Sequence, residues 1–141
     1  MPITNFDHYT IRARDIEASA RFYQDVMGFR IETLNDFDFP FRLLFLGDQA
    51  LVHLLGAGPE LDAFLERSAP SYASGIERRT GNMEHVAFNA TGLKDFLARV
   101  IAADVPFKQR TLADYHVVQL LLNDPDGIEI EVNFPVSELQ H

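Results

Sequence analysis

Three histidines and one glutamate stand within apolar runs of this sequence, where an ionisable side chain is costly unless it is paired or binds a ligand. They are His8, His53, His85 and Glu131. Three imidazoles and one carboxylate suit Zn, Ni, Co, Mn or Fe(II), and they leave one or two metal positions for water or substrate. These residue types therefore predict a site for one divalent metal ion.

An internal repeat gives the four residues matching positions. His85 follows His8 by 77 residues, and Glu131 follows His53 by 78. His8 and His85 each come third in the first strand-like run of their copy, and His53 and Glu131 each lie in the middle of the last run. Two copies of one structural unit would turn equivalent positions toward a common cleft, so we expect the four side chains to converge there.

Hydrophobic periodicity predicts a βαβββ module in each copy. The helix of the first copy is expected to begin after Asp15 and to end at Gly28, and the helix of the second is expected to end at Asp104. The predicted strands are Phe6–Ala13, Arg30–Leu34, Phe41–Leu46 and Ala50–Leu55 in the first copy, and Met83–Asn89, Phe107–Arg110, His116–Leu122 and Ile128–Phe134 in the second.

These elements predict an α+β fold in which two βαβββ modules form a curled mixed sheet with the helices on its outer face. We expect one domain over 1–141, with module one at about 1–56, a connecting segment at about 57–82 and module two at about 83–135. The connecting segment holds a short helical pattern, Pro59–Arg67, and then a polar stretch to Gly81 that is expected to form an exposed loop.

Alternation along each strand predicts which side chains share a face with the candidate ligands. Thr10 and Arg12 should point the same way as His8. In the last strand, Glu129 and Asn133 should accompany Glu131, opposite an apolar face. Such a polar face needs water or a ligand.

Composition narrows the functional classes. The chain has 141 residues, a formal net charge of −9 and no cysteine, which excludes disulfides and cysteine-bound clusters. A negative field repels nucleic acid and anionic lipid, although it would favour a cationic ligand. The N-terminal residues lack the apolar core of a secretory signal, and no apolar run approaches the roughly 20 residues of a membrane helix. We therefore expect a soluble cytoplasmic protein that acts on a small-molecule substrate.

Several motifs resemble those of the glyoxalase/bleomycin-resistance/dioxygenase superfamily, whose members are known for vicinal-oxygen chelation. The resemblance covers almost the whole chain and rests on Asp7–Arg12, Arg21–Phe29, Leu46–Asp48, Glu84–Phe88 and Asp124–Glu131. It implies a glyoxalase-like fold, usually a homodimer, with a metal held by the first and fourth strands of two modules. Modules of different subunits often combine, so one chain would supply the first two histidines and its mate would supply His85 and Glu131. The sequence leaves this choice open.

Enzymes of this kind act on a substrate whose adjacent oxygens chelate the metal. The reading that we favour is a lyase or isomerase resembling lactoylglutathione lyase, with Glu131 and His53 as the catalytic residues. Arg12 matches a glutathione-contacting arginine of those enzymes. However, His53 stands where they usually carry glutamate, and Gly56–Pro59 replaces their Asn-rich segment, so glutathione is not the expected cosubstrate.

Three alternatives stay open. An Fe(II) extradiol-type dioxygenase would use His8, His85 and Glu131 as metal ligands and His53 as an acid or base. A thiol transferase resembling fosfomycin-resistance proteins would use the same triad, but the sequence lacks a matching cluster of basic residues. A non-catalytic dimer resembling bleomycin-resistance proteins would suit the acidic charge but not the ligand set.

Four further residues are predicted to contact substrate. Phe39, in the aromatic segment Asp36–Phe41, would form an apolar wall of the cleft, or would pack at a dimer seam. Arg12 and Arg42 are candidates for binding a substrate carboxylate. Tyr115, next to His116, would assist from a loop, unless both are ordinary solvated turn residues.

Overall fold

The computed structural model describes residues 6–68 and 85–139, and within them the elements follow the order that the repeat predicts. Segment 69–84, which includes most of the predicted exposed loop, lies outside the described residues. The elements of module one are β1 (Tyr9–Ala13), α1 (Ile16–Asp25), β2 (Arg30–Leu34), β3 (Phe41–Leu46) and β4 (Gln49–Gly56), followed by the connecting helix α2 (Pro59–Ser68). Those of module two are β5 (Val86–Asn89), α3 (Leu93–Ala102), β6 (Phe107–Leu112), β7 (Val117–Asn123) and β8 (Glu129–Pro135).

Each module folds into its own four-stranded mixed sheet. The strand order is β1-β4-β3-β2 in one sheet and β5-β8-β7-β6 in the other. The first and fourth strands of each module pair in parallel, and the remaining neighbours pair antiparallel. The predicted βαβββ architecture is therefore confirmed, as two sheets that are not closed into a barrel.

Local signals explain most of the element boundaries. The Asp15 carboxylate accepts the backbone N–H of Ala18 at 3.1 Å, so it caps α1 as predicted. Gly28 has φ +77°, a left-handed conformation that favours glycine after a helix. Strand β1 begins only at Tyr9, because the residues before it are held by a side chain instead of a strand partner. Gln49 Nε2 donates to the carbonyl oxygens of Phe6 and Asp7, each at 2.6 Å.

Burial confirms the predicted alternation along the strands. In β8, Ile130 and Val132 are buried on the side that faces the helices, and the helix-side residues of β4 and β7 are buried in the same way. In β1, Ile11 is buried, whereas Thr10 and Arg12 are exposed. The opposite side of each sheet, which carries the candidate ligands, is called the open face below.

The two modules meet through their helix sides. The Tyr23 hydroxyl of α1 donates to Asp124 at 3.0 Å, and the buried Ser19 hydroxyl donates to Asp126 at 2.9 Å. The Phe29 ring lies edge-on to Phe88, with ring centroids 5.8 Å apart. These contacts tie α1 to the turn between β7 and β8, so the fit between modules does not depend on the open faces.

Burial changes the pKa values of side chains at this junction between the modules. It raises the pKa of Asp124 above 3.8, although hydrogen bonds from the Ile128 N–H and the Tyr23 hydroxyl act in the opposite direction. Burial also raises the pKa of Tyr9 to about 12 and raises that of Tyr23 further. Both tyrosines therefore stay neutral at physiological pH.

The helices of the described residues are short. α1, α2 and α3 have ten residues each, and none has the length and apolar character needed to span a membrane.

Candidate metal centre

His8 and His53 form a stacked pair on the open face of the first sheet. Their ring centroids are 3.7 Å apart and their planes differ by 5°. His53 lies in β4, next to Thr10 of β1, and His8 lies just before β1. The Asp7 carboxylate is 2.6 Å from His8 Nδ1, which orients the ring and makes Nε2 the atom available to a metal.

The environment of His53 favours its neutral form. Partial burial, with a smaller contribution from the neighbouring His8 ring, lowers the pKa of His53 below 6.5. A neutral imidazole is the form that binds a metal ion.

His85 and Glu131 form a second pair on the open face of the other sheet. His85 Nε2 lies 3.7 Å from Glu131 Oε1, and His85 Nδ1 lies 3.8 Å from Glu129 Oε2. Glu131 is only 9% exposed, and its Oε2 accepts a hydrogen bond of 3.2 Å from Asn133 Nδ2. A carboxylate with so little exposure to solvent needs a cationic partner.

Strand register puts the two pairs at equivalent places on their sheets. In each sheet the fourth-strand member of the pair lies between a first-strand residue and a third-strand leucine. The two rows are Thr10, His53 and Leu43 in the first sheet, and Ala87, Glu131 and Leu121 in the second.

The donor atoms fit a divalent metal. Two ligands at about 2.1 Å from one ion are at most about 4.2 Å apart, so the 3.7 Å between His85 and Glu131 is within reach of a shared ion. Within residues 6–68 and 85–139, however, no group of three or more histidine, cysteine, aspartate or glutamate residues is placed to hold a metal. One chain thus brings the four predicted ligands together as two separate pairs.

The two predicted arginines lie on opposite faces of the first sheet. Arg12 is on the open face, and its Nη1 is 3.5 Å from the Asp62 carboxylate of α2. Arg42 pairs with Leu54, not with His53, and so lies on the helix side. Its Nη2 donates to Glu17 of α1 at 2.5 Å. Arg42 is therefore not brought to the histidine pair.

The aromatic segment forms a cluster beside His53. Phe39 is 3% exposed, because Phe37, Phe41 and Phe64 surround it at centroid distances of 5.1 to 6.2 Å. Phe41 is the member that reaches the ligand pair, with its ring centroid 5.7 Å from that of His53. The structure thus gives Phe41 the position next to the site and makes Phe39 the packed centre of the cluster.

Two other features bear on the site. Tyr115 is 75% exposed in a single 3₁₀ turn, and His116 after it has φ +58°.

The contact of Asp7 with His8 and the contact of Asn133 with Glu131 were not predicted from the sequence. The adjacency of Asp7 to a candidate ligand was a signal for the first, and the shared strand face was a signal for the second.

Comparison with known proteins identifies the family of this chain. The model of the Glyoxalase/Bleomycin resistance protein/Dioxygenase superfamily matches residues 5–132. The chain belongs to this superfamily. Its relatives within the superfamily include a lactoylglutathione lyase of Pseudomonas putida, which is 31% identical over 150 residues, with 92% of this chain and 84% of that protein covered.

Solved structures of other proteins share the fold. The glyoxylase/bleomycin resistance protein/dioxygenase domain from Frankia has a TM-score of 0.68 at 17% identity, covering 99% of this chain and 96% of its own. An antibiotic-binding protein from Streptomyces has a TM-score of 0.64 at 16% identity, and the match covers 96% of this chain and 98% of that protein. At these identities the likeness concerns the fold alone.

Proposed function

We propose that this superfamily member is a divalent-metal-dependent lyase or isomerase that acts on a small substrate with vicinal oxygens. His8 and His53 of one chain would hold the metal together with the His85–Glu131 pair of a second copy, in a homodimer. The observation that carries this proposal is the presence of two ligand pairs at equivalent register positions on two open faces. The similarity to a lactoylglutathione lyase supports the reaction class.

The number of donors favours a site between two copies. Zn²⁺ and similar ions in enzymes usually take three or four protein ligands, and each pair provides two. Because the modules of one chain meet through their helix sides, each open face is available to the complementary module of another chain. An exchanged dimer of this kind would build two equivalent sites.

Residues of the chain itself would transfer the substrate proton. When bound, the metal supplies a Lewis acid that polarises the two adjacent oxygens of the substrate. Glu131 is the proposed base, held by Asn133 through its second oxygen. His53, whose lowered pKa keeps it neutral, would accept or return a proton if it does not bind the metal. Phe41 would form the apolar wall beside it, and Arg12 would contact the substrate from β1.

The stacking of His53 on His8 favours a second candidate, an Fe(II) extradiol-type dioxygenase. A ring stacked on a ligand lies beside the metal without having to bind it. The ligands would then be His8, His85 and Glu131, and His53 would transfer protons.

Metal content separates these proposals. The protein would be purified anaerobically without a histidine tag and subjected to elemental analysis before and after chelator treatment. We expect about one Ni, Co or Zn ion per chain for the lyase, whereas Fe would support the dioxygenase. No metal, and no uptake on reconstitution, would overturn both and leave a non-catalytic ligand-binding dimer.

Heterodimers test whether the site lies between chains. Chains with His8→Ala and chains with His85→Ala would be co-expressed with two different tags, and the mixed dimer would be isolated. Each homodimer should lose metal, because every site carries one lesion. In an exchanged dimer the mixed species has one intact site of two, so it should bind about half the metal of the unmodified dimer. His116→Ala is the control and should retain full metal. Failure of the mixed dimer to regain metal would exclude a site shared by two chains.

A further inference from the structure

Four polar side chains cross the open face of the second sheet in a row adjacent to Glu131. Asn89 pairs with Asn133, Asn133 with Gln119, and Gln119 with Arg110. We call Asn89, Asn133, Gln119 and Arg110 the polar row. Because side chains two residues apart on a strand share a face, the row runs beside the one that contains Glu131.

The equivalent row of the first sheet is mostly apolar. It comprises Arg12, Leu55, Phe41 and Leu34. The backbone frame is the same in both sheets, yet three apolar positions in one are amides and a guanidinium in the other. Asn89 and Arg110 at the ends of the row are exposed, whereas Gln119 is buried and Asn133 is half-buried. Buried or half-buried polar groups are costly without partners, so the two central amides point to recognition and not to packing.

Arg110 of the polar row is oriented by a hydrogen bond to Gln119 through its Nε, which leaves its two Nη atoms for a ligand. Gln119, which is 6% exposed, accepts a hydrogen bond of 2.6 Å from Arg110 Nε. Within the part of the chain that the structure describes, the two Nη atoms of Arg110 have no acceptor. A guanidinium edge held in this way matches the two oxygens of a carboxylate.

The other end of the polar row has an acceptor without a donor. Asn133 Nδ2 donates to Glu131, while Asn133 Oδ1 is buried and has no hydrogen-bond partner among residues 6–68 and 85–139. A cavity of about 550 Å³ opens at this end, lined by Asn89, Asn133, Thr91 and His116 among others. Its size suits a small molecule, and the orphaned oxygen needs a hydroxyl or N–H group.

We propose that the polar row binds the carboxylate of the substrate through Arg110, and that a hydroxyl or N–H group of the same molecule donates to Asn133 Oδ1. This inference rests on the proposed function, since it makes the row the specificity-determining part of the site around Glu131. A carboxylate fits better than a phosphate dianion, because Glu129 and Glu131 lie on the same face.

The test uses chelator-treated protein, so that no metal can hold the probe. Propionate, 3-hydroxypropionate and propionamide would be titrated while the side-chain N–H signals of Arg110, Gln119 and Asn133 are followed by ¹H–¹⁵N NMR. Propionate should give saturable shifts and propionamide should give none. The added hydroxyl of 3-hydroxypropionate should tighten binding about 3-fold or more.

Matched variants assign the effect. Arg110→Gln should weaken propionate binding about 10-fold or more. Arg30→Gln, which alters an exposed arginine of the equivalent edge strand β2, should leave it unchanged. Asn133→Leu introduces the residue type that module one has at the equivalent position, and it should remove the advantage of the hydroxyl while propionate still binds. Circular dichroism would verify that each variant is folded.

Three results would overturn the proposal: no saturable shift in the unmodified protein, unchanged binding in Arg110→Gln, or an equal loss in Arg30→Gln. Metal uptake measured on the same samples keeps the two proposals apart. Carboxylate binding without metal uptake would reject the metal enzyme but not the polar row, and metal uptake without carboxylate binding would do the reverse.

Discussion

The two modules share one backbone frame but treat the end of their fourth strand differently. In module one, β4 ends at Gly56, whose N–H donates to the Pro40 carbonyl at 2.8 Å. A Cβ at Gly56 would lie only 3.0 Å from the Pro40 ring, and Pro40 directly follows Phe39 of the aromatic cluster. In module two the corresponding residue is Phe134, and a cavity of about 550 Å³ remains beside it. One module thus closes this end with its own side chains, and the other leaves it open to a ligand.

The turns before the last strands differ in a complementary way. In module one, Gly47 and Asp48 are exposed, and a Cβ added at Gly47 would meet no other described residue within 4 Å. In module two, Asp124 and Asp126 accept hydrogen bonds from Tyr23 and Ser19 of α1, and Asp126 also accepts one from the Arg14 N–H before that helix. Equivalent places in the repeat therefore differ: module one carries the aromatic cluster, and module two carries the junction and the polar row that we propose for recognition.

The aromatic cluster should give the largest stability effect. Phe39→Ala removes a ring that is 3% exposed, and we expect the free energy of unfolding to fall by about 3 to 5 kcal/mol. Phe37→Ala, at a ring that is 39% exposed, should cost clearly less. Urea denaturation would measure both. Equal losses would mean that the cluster does not pack around Phe39.

The junction turn should give the next largest effect. Asp126→Ala leaves the buried Ser19 hydroxyl and the Arg14 N–H without their acceptor, so we expect a loss of about 2 to 3 kcal/mol. Asp48→Ala, in the equivalent turn of module one, should change stability by less than about 0.5 kcal/mol. Similar losses in thermal or urea unfolding would contradict the assigned difference between the turns.

The smallest effect concerns pH. Burial raises the folded-state pKa of Asp124 above 3.8. The protonated side chain therefore contributes fully to stability below a pH of about 3.8, and this contribution is lost as pH rises through the folded-state pKa. The unmodified protein should therefore lose stability relative to Asp124→Asn as pH rises above about 4. Urea midpoints at several pH values would measure the difference. A constant difference, or one of opposite sign, would exclude Asp124 as its source.

Much of the fold followed from local patterns. Alternation predicted which sides of β1 and β8 are buried, Asp15 caps α1, and the bounds of β2 and β3 agree with the prediction. These features depend on near neighbours in the chain, which is why a periodic sequence specifies them. The face occupied by Arg42 did not follow from local patterns, because it depends on strand pairing with β4 and on Glu17 of α1.

The sequence by itself determined the repeated module, the membership of the chain in its superfamily, and the four residues predicted to bind a metal. Only the tertiary structure decided that these residues form two pairs, His8 with His53 and His85 with Glu131. It also decided that amides and Arg110 form one row beside Glu131. The reason is physical: composition and period fix the face on which a side chain lies, whereas strand register and the packing of one module on another fix which side chains meet.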